Sequence, residues 1–159
     1  VMKEHSLDQR TFTQHDCRLL YDMLSVCLDG VFANSRLHNR ADNTLEKQVF
    51  QSLSVLYRHL AACLMVNINR QVVKVNAAGT NAASPTASII ATAYLAALDG
   101  SASQAPIQVM DVNKQTIRQL RVWSQQLVNE PFVCAISDNL ASLQRGIDRA
   151  QQRRENAQL

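Results

Sequence analysis

Apolar residues recur along this chain at helical rather than strand spacing. The pattern resolves into five amphipathic segments separated by polar or Gly/Pro-bearing stretches. The first opens at Thr13, where Thr13-Gln-His-Asp16 has the spacing of a capping box. Cys17, Leu20, Tyr21, Leu24, Cys27, Leu28 and Val31 form its stripe, and Leu19, Met23 and Val26 widen it, so burial on more than one side is expected. Gly30 or Asn34 is the expected terminator, and residues 34–43, with Arg36, His38 and Arg40, read as a polar loop.

The second helix is expected from Asp42 or Asn43 to about Asn69, with Leu45, Val49, Phe50, Leu53, Leu56, Tyr57, Leu60, Cys63, Leu64 and Val66 as its core face. At about 26 residues it would be ~39 Å long. Residues 70–75 either prolong it or form a short extended piece, and 76–83 read as a loop. Ser84 as N-cap and Pro85 in the first turn start the third helix. That helix runs past Ile89, Ile90, Tyr94, Leu95 and Leu98 to Asp99-Gly100, where glycine can take the left-handed position. Its many alanines permit close approach, which places it centrally. Residues 100–110 read as a loop holding Pro106 and a short apolar run, with pairing of strands at 72–75 and 107–110 as the alternative.

Asp111 is the expected N-cap of the fourth helix, which carries Ile117, Leu120, Trp123 and Leu127. Asn129-Glu130-Pro131 stops it and starts the fifth. There Val133, Ile136, Leu140, Leu143, Ile147 and Ala150 alternate gaps of 3 and 4, a narrow heptad seam. Beyond Ala150 the pattern fades: either the helix frays or the natural chain continues into a coiled coil. The expected fold is all-α, about five helices in a closed bundle or a short HEAT- or armadillo-like stack. It forms one domain over 1–159, with a flexible segment at 1–12 and a frayed tail at 151–159. The Val1-Met2 opening reads as the edge of a piece cut from a longer chain.

Composition narrows the picture. Hydrophobic residues are 47% and aromatics only 5%, so the core must be built mainly of Leu, Val, Ile and Ala. Charged residues are 18%, and Asn and Gln take their place on the surface. An amide-rich surface is cheap to desolvate and favours neighbours or partners, unless it is simple compositional drift. The net charge of +3 is too small to argue for nucleic acid by itself, but residues 47–98 contain no acid at all. No apolar run reaches ~18 residues and no signal-peptide pattern opens the chain, so membrane insertion is not expected. Cys17, Cys27, Cys63 and Cys134 fall in helix patterns and read as small buried hydrophobes of a reducing, intracellular (cytoplasmic or nuclear) setting, with a disulfide-bonded secreted helical cytokine as the weaker alternative.

Candidate chemistry is sparse. No Cys-x-x-Cys, His-x-x-x-His or His-Glu-x-x-His spacing occurs, and His15 and Cys17 point to different helix faces, so no metal or cofactor is expected. His59 and Cys63 are i and i+4, but Cys63 lies on an apolar stripe where a thiol stays protonated and inert. Carboxylates are scattered singly and the glycines at 30, 79, 100 and 146 are isolated, which argues against an enzyme. Arginine outnumbers lysine twelve to four. Arg118 and Arg121 on the fourth helix, with Arg145, Arg149 and Arg153 on the fifth, form a candidate nucleic-acid face. Asp148 and Glu155 partly offset them, so a solvated face with intrahelical ion pairs is the plainer reading. The candidate partner or coiled-coil seam is Ile136, Leu140, Leu143, Ile147 and Ala150.

One stretch resembles a known family. Arg118-Gln-Leu-Arg-Val-Trp-Ser-Gln-Gln-Leu-Val-Asn-Glu-Pro-Phe132 is similar to the last conserved block of RUN domains, which reads Arg-Ala-Trp, several residues, then Leu-Asn-Glu. Val122 stands where that family has Ala, the family's His-Gly-Leu-Lys stretch has no counterpart, and the likeness spans fewer than 20 of 159 residues. It implies an all-helical module that binds small GTPases and motor adaptors. The expected function is a non-enzymatic protein–protein interaction or scaffold/adaptor domain, able to self-associate as a homodimer through its last helix. The first alternative is an RNA- or DNA-binding helical domain.

Overall fold

In the computed structural model, which describes residues 13–69 and 84–157, five helices follow one another. They are α1 (Gln14–Arg40), α2 (Thr44–Asn69), α3 (Pro85–Leu98), α4 (Ala105–Gln126) and α5 (Glu130–Ala157). No strand occurs among the described residues. The flexible segment expected at 1–12, the alternatives for 70–75 and the loop at 76–83 lie outside them.

Helix starts are fixed by short polar side chains. Thr13 Oγ1 accepts from the Asp16 N–H at 3.0 Å, Asn43 Oδ1 from Glu46 at 2.8 Å, Ser84 Oγ from Ala87 at 3.2 Å, and Asn129 Oδ1 from Phe132 at 2.9 Å. Each satisfies an N–H that has no partner inside the helix, worth about 1 kcal/mol.

The helices close into a ring. α1 packs on α2, α2 on α5, α5 on α4, α4 on α3 and α3 back on α1, while α1 also meets α4 across the middle. In a HEAT or armadillo stack each unit meets only its neighbours in sequence. Here the last helix returns to the second, so the architecture is a closed bundle. Its centre is the α1–α4 pair and not α3, whose Ile89 and Leu95 point to solvent.

Several boundaries differ from the sequence expectation. α1 runs through Gly30 and Asn34 to Arg40, so the loop expected at 34–43 shrinks to 41–43. Both residues serve packing inside the helix. Gly30 lies against the Tyr57 ring, and Asn34 is fully buried and hydrogen-bonded to Asn113. α4 begins at Ala105, six residues before Asp111, which is exposed in mid-helix. Pro106 sits in the first turn, where the missing N–H costs no intrahelical bond. Pro106, Val109, Met110 and Asn113 are buried at helical spacing, so residues 107–110 are helix and not strand. Gly100 does not adopt the left-handed conformation. Residues 151–157, expected as a frayed tail, continue α5.

One further expectation changes. Thr44–Ile68 in α2, with mean hydropathy 1.4, is long and apolar enough to cross a membrane by composition. In this fold Phe50, Leu53, Tyr57, Leu60 and Leu64 are fully buried in the bundle, the arrangement of a core helix.

Candidate functional site

The heptad seam is not a free surface. Ile136, Leu140, Leu143, Ile147 and Ala150 are all buried in the domain's own core, where α5 packs on α2 and α4. A Cβ on Gly146 would meet the end of the Leu56 side chain, which marks where α5 lies against α2. A coiled-coil partner would have to displace the core.

The proposed basic face also divides. Arg118, Arg121, Arg145, Arg149 and Arg153 are all exposed. Arg118 lines a shallow groove between α4 and α5 together with Lys114, Asp148 and Glu155. Arg149 and Arg153 line the other flank of α5, beside Val49 and Leu56 of α2. Arg145 donates to Ser142 Oγ at 3.1 Å. Phosphate recognition needs cations along one track, whereas Arg118 and the Arg149–Arg153 pair line separate grooves, the first of which already holds two carboxylates.

A different surface emerges on the outer side of the α1–α2 hairpin. The two helices run antiparallel, with Ser35 Oγ 2.7 Å from Ser54 Oγ and His38 Nδ1 2.9 Å from the Lys47 carbonyl oxygen. On their outward sides Leu28 (48% exposed), Phe32 (49%), Val55 (37%), Met65 (45%) and Val66 (52%) are open to solvent. The Arg36 guanidinium lies over the Phe32 ring, 5.5 Å from its centroid, which holds the ring in place. The stripe inferred for each helix is thus wider than the core it fills: Leu28 and Val66, expected inside, are outside. Among the described residues nothing hides these five side chains.

Among the described residues α1 and α2 carry charges of both signs, with Arg18 exposed on α1. Arg36, Arg58 and Lys47 are exposed on the two helices, and the only acid of α2 is Glu46 in its first turn. The acids of α1 are buried or half-buried, and Asp22, Asp29 and Arg36, spaced by seven, share one flank of the helix. Asp16 is buried and accepts from the Val128 N–H at 2.9 Å. Asp22 accepts from the Ser84 N–H at 3.1 Å, on the flank that faces α3. Asp29 is two turns on along that same flank.

Asp29 is itself strained electrostatically. One of its oxygens is buried without a hydrogen-bond donor, and burial raises its carboxyl above the usual carboxylate range. A raised folded pKa means that the folded state holds its proton to higher pH than the unfolded one. Stability from this group therefore falls as pH climbs from its unfolded value through its folded one. Asp29→Asn is expected to raise the melting temperature at pH 7 by about a degree or two, with the advantage fading toward pH 4. Thermal melts of both chains at the two pH values check this; an advantage that grows toward acid refutes it.

At the centre of the bundle lies a polar cluster that the sequence pattern does not announce. Asn113 Oδ1 accepts from Asn34 Nδ2 at 3.0 Å, Tyr57 Oη at 3.2 Å and Tyr94 Oη at 2.7 Å. Asn113 Nδ2 donates back to Asn34 Oδ1 at 2.9 Å, and Thr116 Oγ1 donates to Tyr94 Oη at 3.2 Å. All five residues are essentially inaccessible to water. Burial pushes both phenols well above their ordinary pKa, so they remain protonated donors. The cluster ties α1, α2, α3 and α4 into one register and offers no approach to a substrate.

Other candidates are weaker. A cleft of about 260 Å³ at one end of the bundle is lined by Arg40, Asp42, Glu46, Phe50, Ala105 and Pro106. Arg40 is committed there to the Leu98 carbonyl oxygen at 3.0 Å. No group of three or more His, Cys, Asp and Glu residues converges among the described residues. Cys17 and Cys27 are buried as expected, Cys63 is half-buried with its thiol pushed up by burial, and Cys134 is exposed, contrary to expectation. No protein-family profile, curated protein or solved structure matches the chain. The RUN-like stretch at 118–132 accordingly assigns no family.

Proposed function

We propose that this domain is a non-enzymatic protein–protein interaction module that works through the outer face of its α1–α2 hairpin. The observation that carries the reading is the set of five large apolar side chains, Leu28, Phe32, Val55, Met65 and Val66, left on one hairpin of a domain whose core is already filled. Single exposed apolar residues are ordinary, but a set gathered on two adjacent helices is the usual mark of a binding surface. A weakly charged, amide-rich surround lowers the cost of covering it.

The test is a chain carrying Phe32→Ser, Val55→Ser and Val66→Ser. Its melting temperature is expected to stay within a few degrees of the parent's, because exposed positions contribute little to the fold. Quantitative mass spectrometry of proteins retained from the native source is expected to show specific partners lost with the variant. An unchanged retained set, or collapse of the fold on these substitutions, refutes the reading.

A further inference from the structure

Four of the five helices close on one another without the third. α1 packs on α2, α2 on α5, α5 on α4 and α4 on α1, which is already a complete ring. Among the described helices α3 packs on α1 and α4, and it reaches α2 through the Tyr94 and Tyr57 hydroxyls, 3.1 Å apart. It is also the shortest helix, 14 residues or ~21 Å. We infer that α3 is a lid over the α1–α4 groove. It opens as a unit while the other four helices stay folded, and Asp22 and Arg40 of α1 are the catches that hold it shut.

The catches sit at the two ends of the lid. Asp22 and Arg40 are 18 residues apart, five helical turns, so they lie on one flank of α1 about 27 Å from each other. Asp22 Oδ1 accepts from the Ser84 N–H at 3.1 Å, at the start of α3, and Arg40 donates to the Leu98 carbonyl oxygen at 3.0 Å, at its end. α3 therefore runs parallel to α1. A carboxylate stands at its N-terminal end and a guanidinium at its C-terminal end, the arrangement that the helix dipole favours. Asp22 is half-buried and Arg40 exposed, so water competes for both bonds and the catches release at modest cost.

Much of what the lid covers is polar. Tyr94 Oη donates to Asn113 Oδ1 at 2.7 Å and accepts from Thr116 Oγ1 at 3.2 Å. Asp29, on the same flank of α1 as Asp22, has a buried oxygen with no hydrogen-bond donor. An apolar seam loses its burial free energy when parted. Hydroxyl, amide and carboxylate groups regain hydrogen bonds from water, and the Asp29 oxygen gains one that it lacks when the lid is closed. Ala87, Ile90, Ala97 and Leu98 supply the rest of the contact, and two of these four are alanines. The buried face of α5, with Phe132, Ile136, Leu140, Leu143 and Ile147, is apolar throughout. α3 thus loses less by leaving than α5 does. When it leaves, Asn34, Asn113 and Tyr57 stay bonded to one another across α1, α4 and α2.

The test is native-state hydrogen exchange of the intact chain, read by NMR at each amide under conditions where reclosing outpaces exchange. Amides in the middle of α3 are expected to be protected at least about tenfold less than the slowest amides of α2 and α5. Asp22→Ala and Arg40→Ala, each checked for a native melt, are expected to cut α3 protection about fivefold further and to leave α2 and α5 unchanged. Leu143→Ala weakens the core away from α3, and is expected to lower the slowest amides of α2 and α5 far more than those of α3. Equal protection of α3 and α2, or an α3 that falls in step with α2 and α5 on Leu143→Ala, overturns the lid, because α3 then opens only when the whole bundle unfolds. Amides of α4 that exchange in step with α3 overturn it as well, since the moving unit is then the α3–α4 hairpin. Unchanged α3 protection in both alanine variants overturns the assignment of the catches.

Discussion

Asn113→Leu is expected to lower the stability of the folded chain by roughly 3–5 kcal/mol, the largest loss of any single substitution considered. The side chains are similar in volume, so the effect comes from polarity and not from a cavity. Leucine removes the oxygen that accepts hydrogen bonds from Asn34 Nδ2, Tyr57 Oη and Tyr94 Oη, together with the N–H that serves Asn34 Oδ1. Part of the cluster can rearrange. The two phenol oxygens are 3.1 Å apart and can bond to each other, and Asn34 Nδ2 keeps the Gly30 carbonyl at 2.7 Å. What has no substitute is Asn34 Oδ1 and one phenolic proton, both sealed from water. Each orphaned buried group costs about 1–3 kcal/mol. Against a total of about 5–15 kcal/mol for a domain, urea unfolding should show the midpoint displaced by roughly a fifth or more. Tyr94→Phe deletes one hydroxyl and leaves Asn113 bonded to Asn34 and Tyr57; its loss should be near 1–2 kcal/mol. If the leucine variant unfolds within 1 kcal/mol of the parent, the cluster does not hold the bundle in register.

The helices themselves were legible because their signals are local. Ser84-Pro85 and Asn129-Glu130-Pro131 mark caps through the chemistry of two or three adjacent residues, and the structure places helix starts at both. The misread boundaries share a different cause. Gly30, Asn34 and Pro106 carry strong local meanings as breakers: Gly30 and Asn34 are overridden by contacts with residues far away in sequence, and Pro106 is tolerated because it falls in the first turn. Asn34 meets Asn113, 79 residues distant. A one-dimensional pattern cannot distinguish a terminating Asn from one that pairs across the core.

The candidate site was half legible. The acid-free stretch 47–98 was visible as charge, and Leu28 and Val66 were visible as apolar positions, but periodicity assigns every apolar residue to a core. Only packing shows that α2 has more apolar circumference than its neighbours α1 and α5 can cover. The heptad seam of α5 failed for the converse reason. A narrow stripe looks like a coiled coil in sequence, whereas here its residues are buried where α5 packs on α2 and α4, with the glycine Gly146 against Leu56.

Gly30→Ala should show how far such a glycine contact can outweigh propensity. In an exposed helix interior the exchange would gain about 1 kcal/mol. Here a Cβ would stand 2.8–2.9 Å from three carbons of the Tyr57 ring, closer than such atoms tolerate. The ring has nowhere to go, since it is fully buried and its hydroxyl lies within 3.2 Å of both Tyr94 Oη and Asn113 Oδ1. Relief requires either separating α1 from α2 or breaking the polar cluster. The net result is expected to be a loss of about 2–4 kcal/mol, overpacking plus strained hydrogen bonds less the helix gain. Gly146→Ala supplies the contrast. The atom its Cβ meets is the end of the half-buried Leu56 side chain, which can turn aside, so its change should lie within about 1 kcal/mol of zero. A Tyr57→Leu background is the decisive control. With the ring gone, the Gly30→Ala penalty should shrink by more than 1 kcal/mol, the non-additivity of two side chains in contact. Strict additivity, or a Gly30→Ala variant more stable than its parent, would mean that α1 and α2 can part without cost and that the close approach at Gly30 does not set their distance.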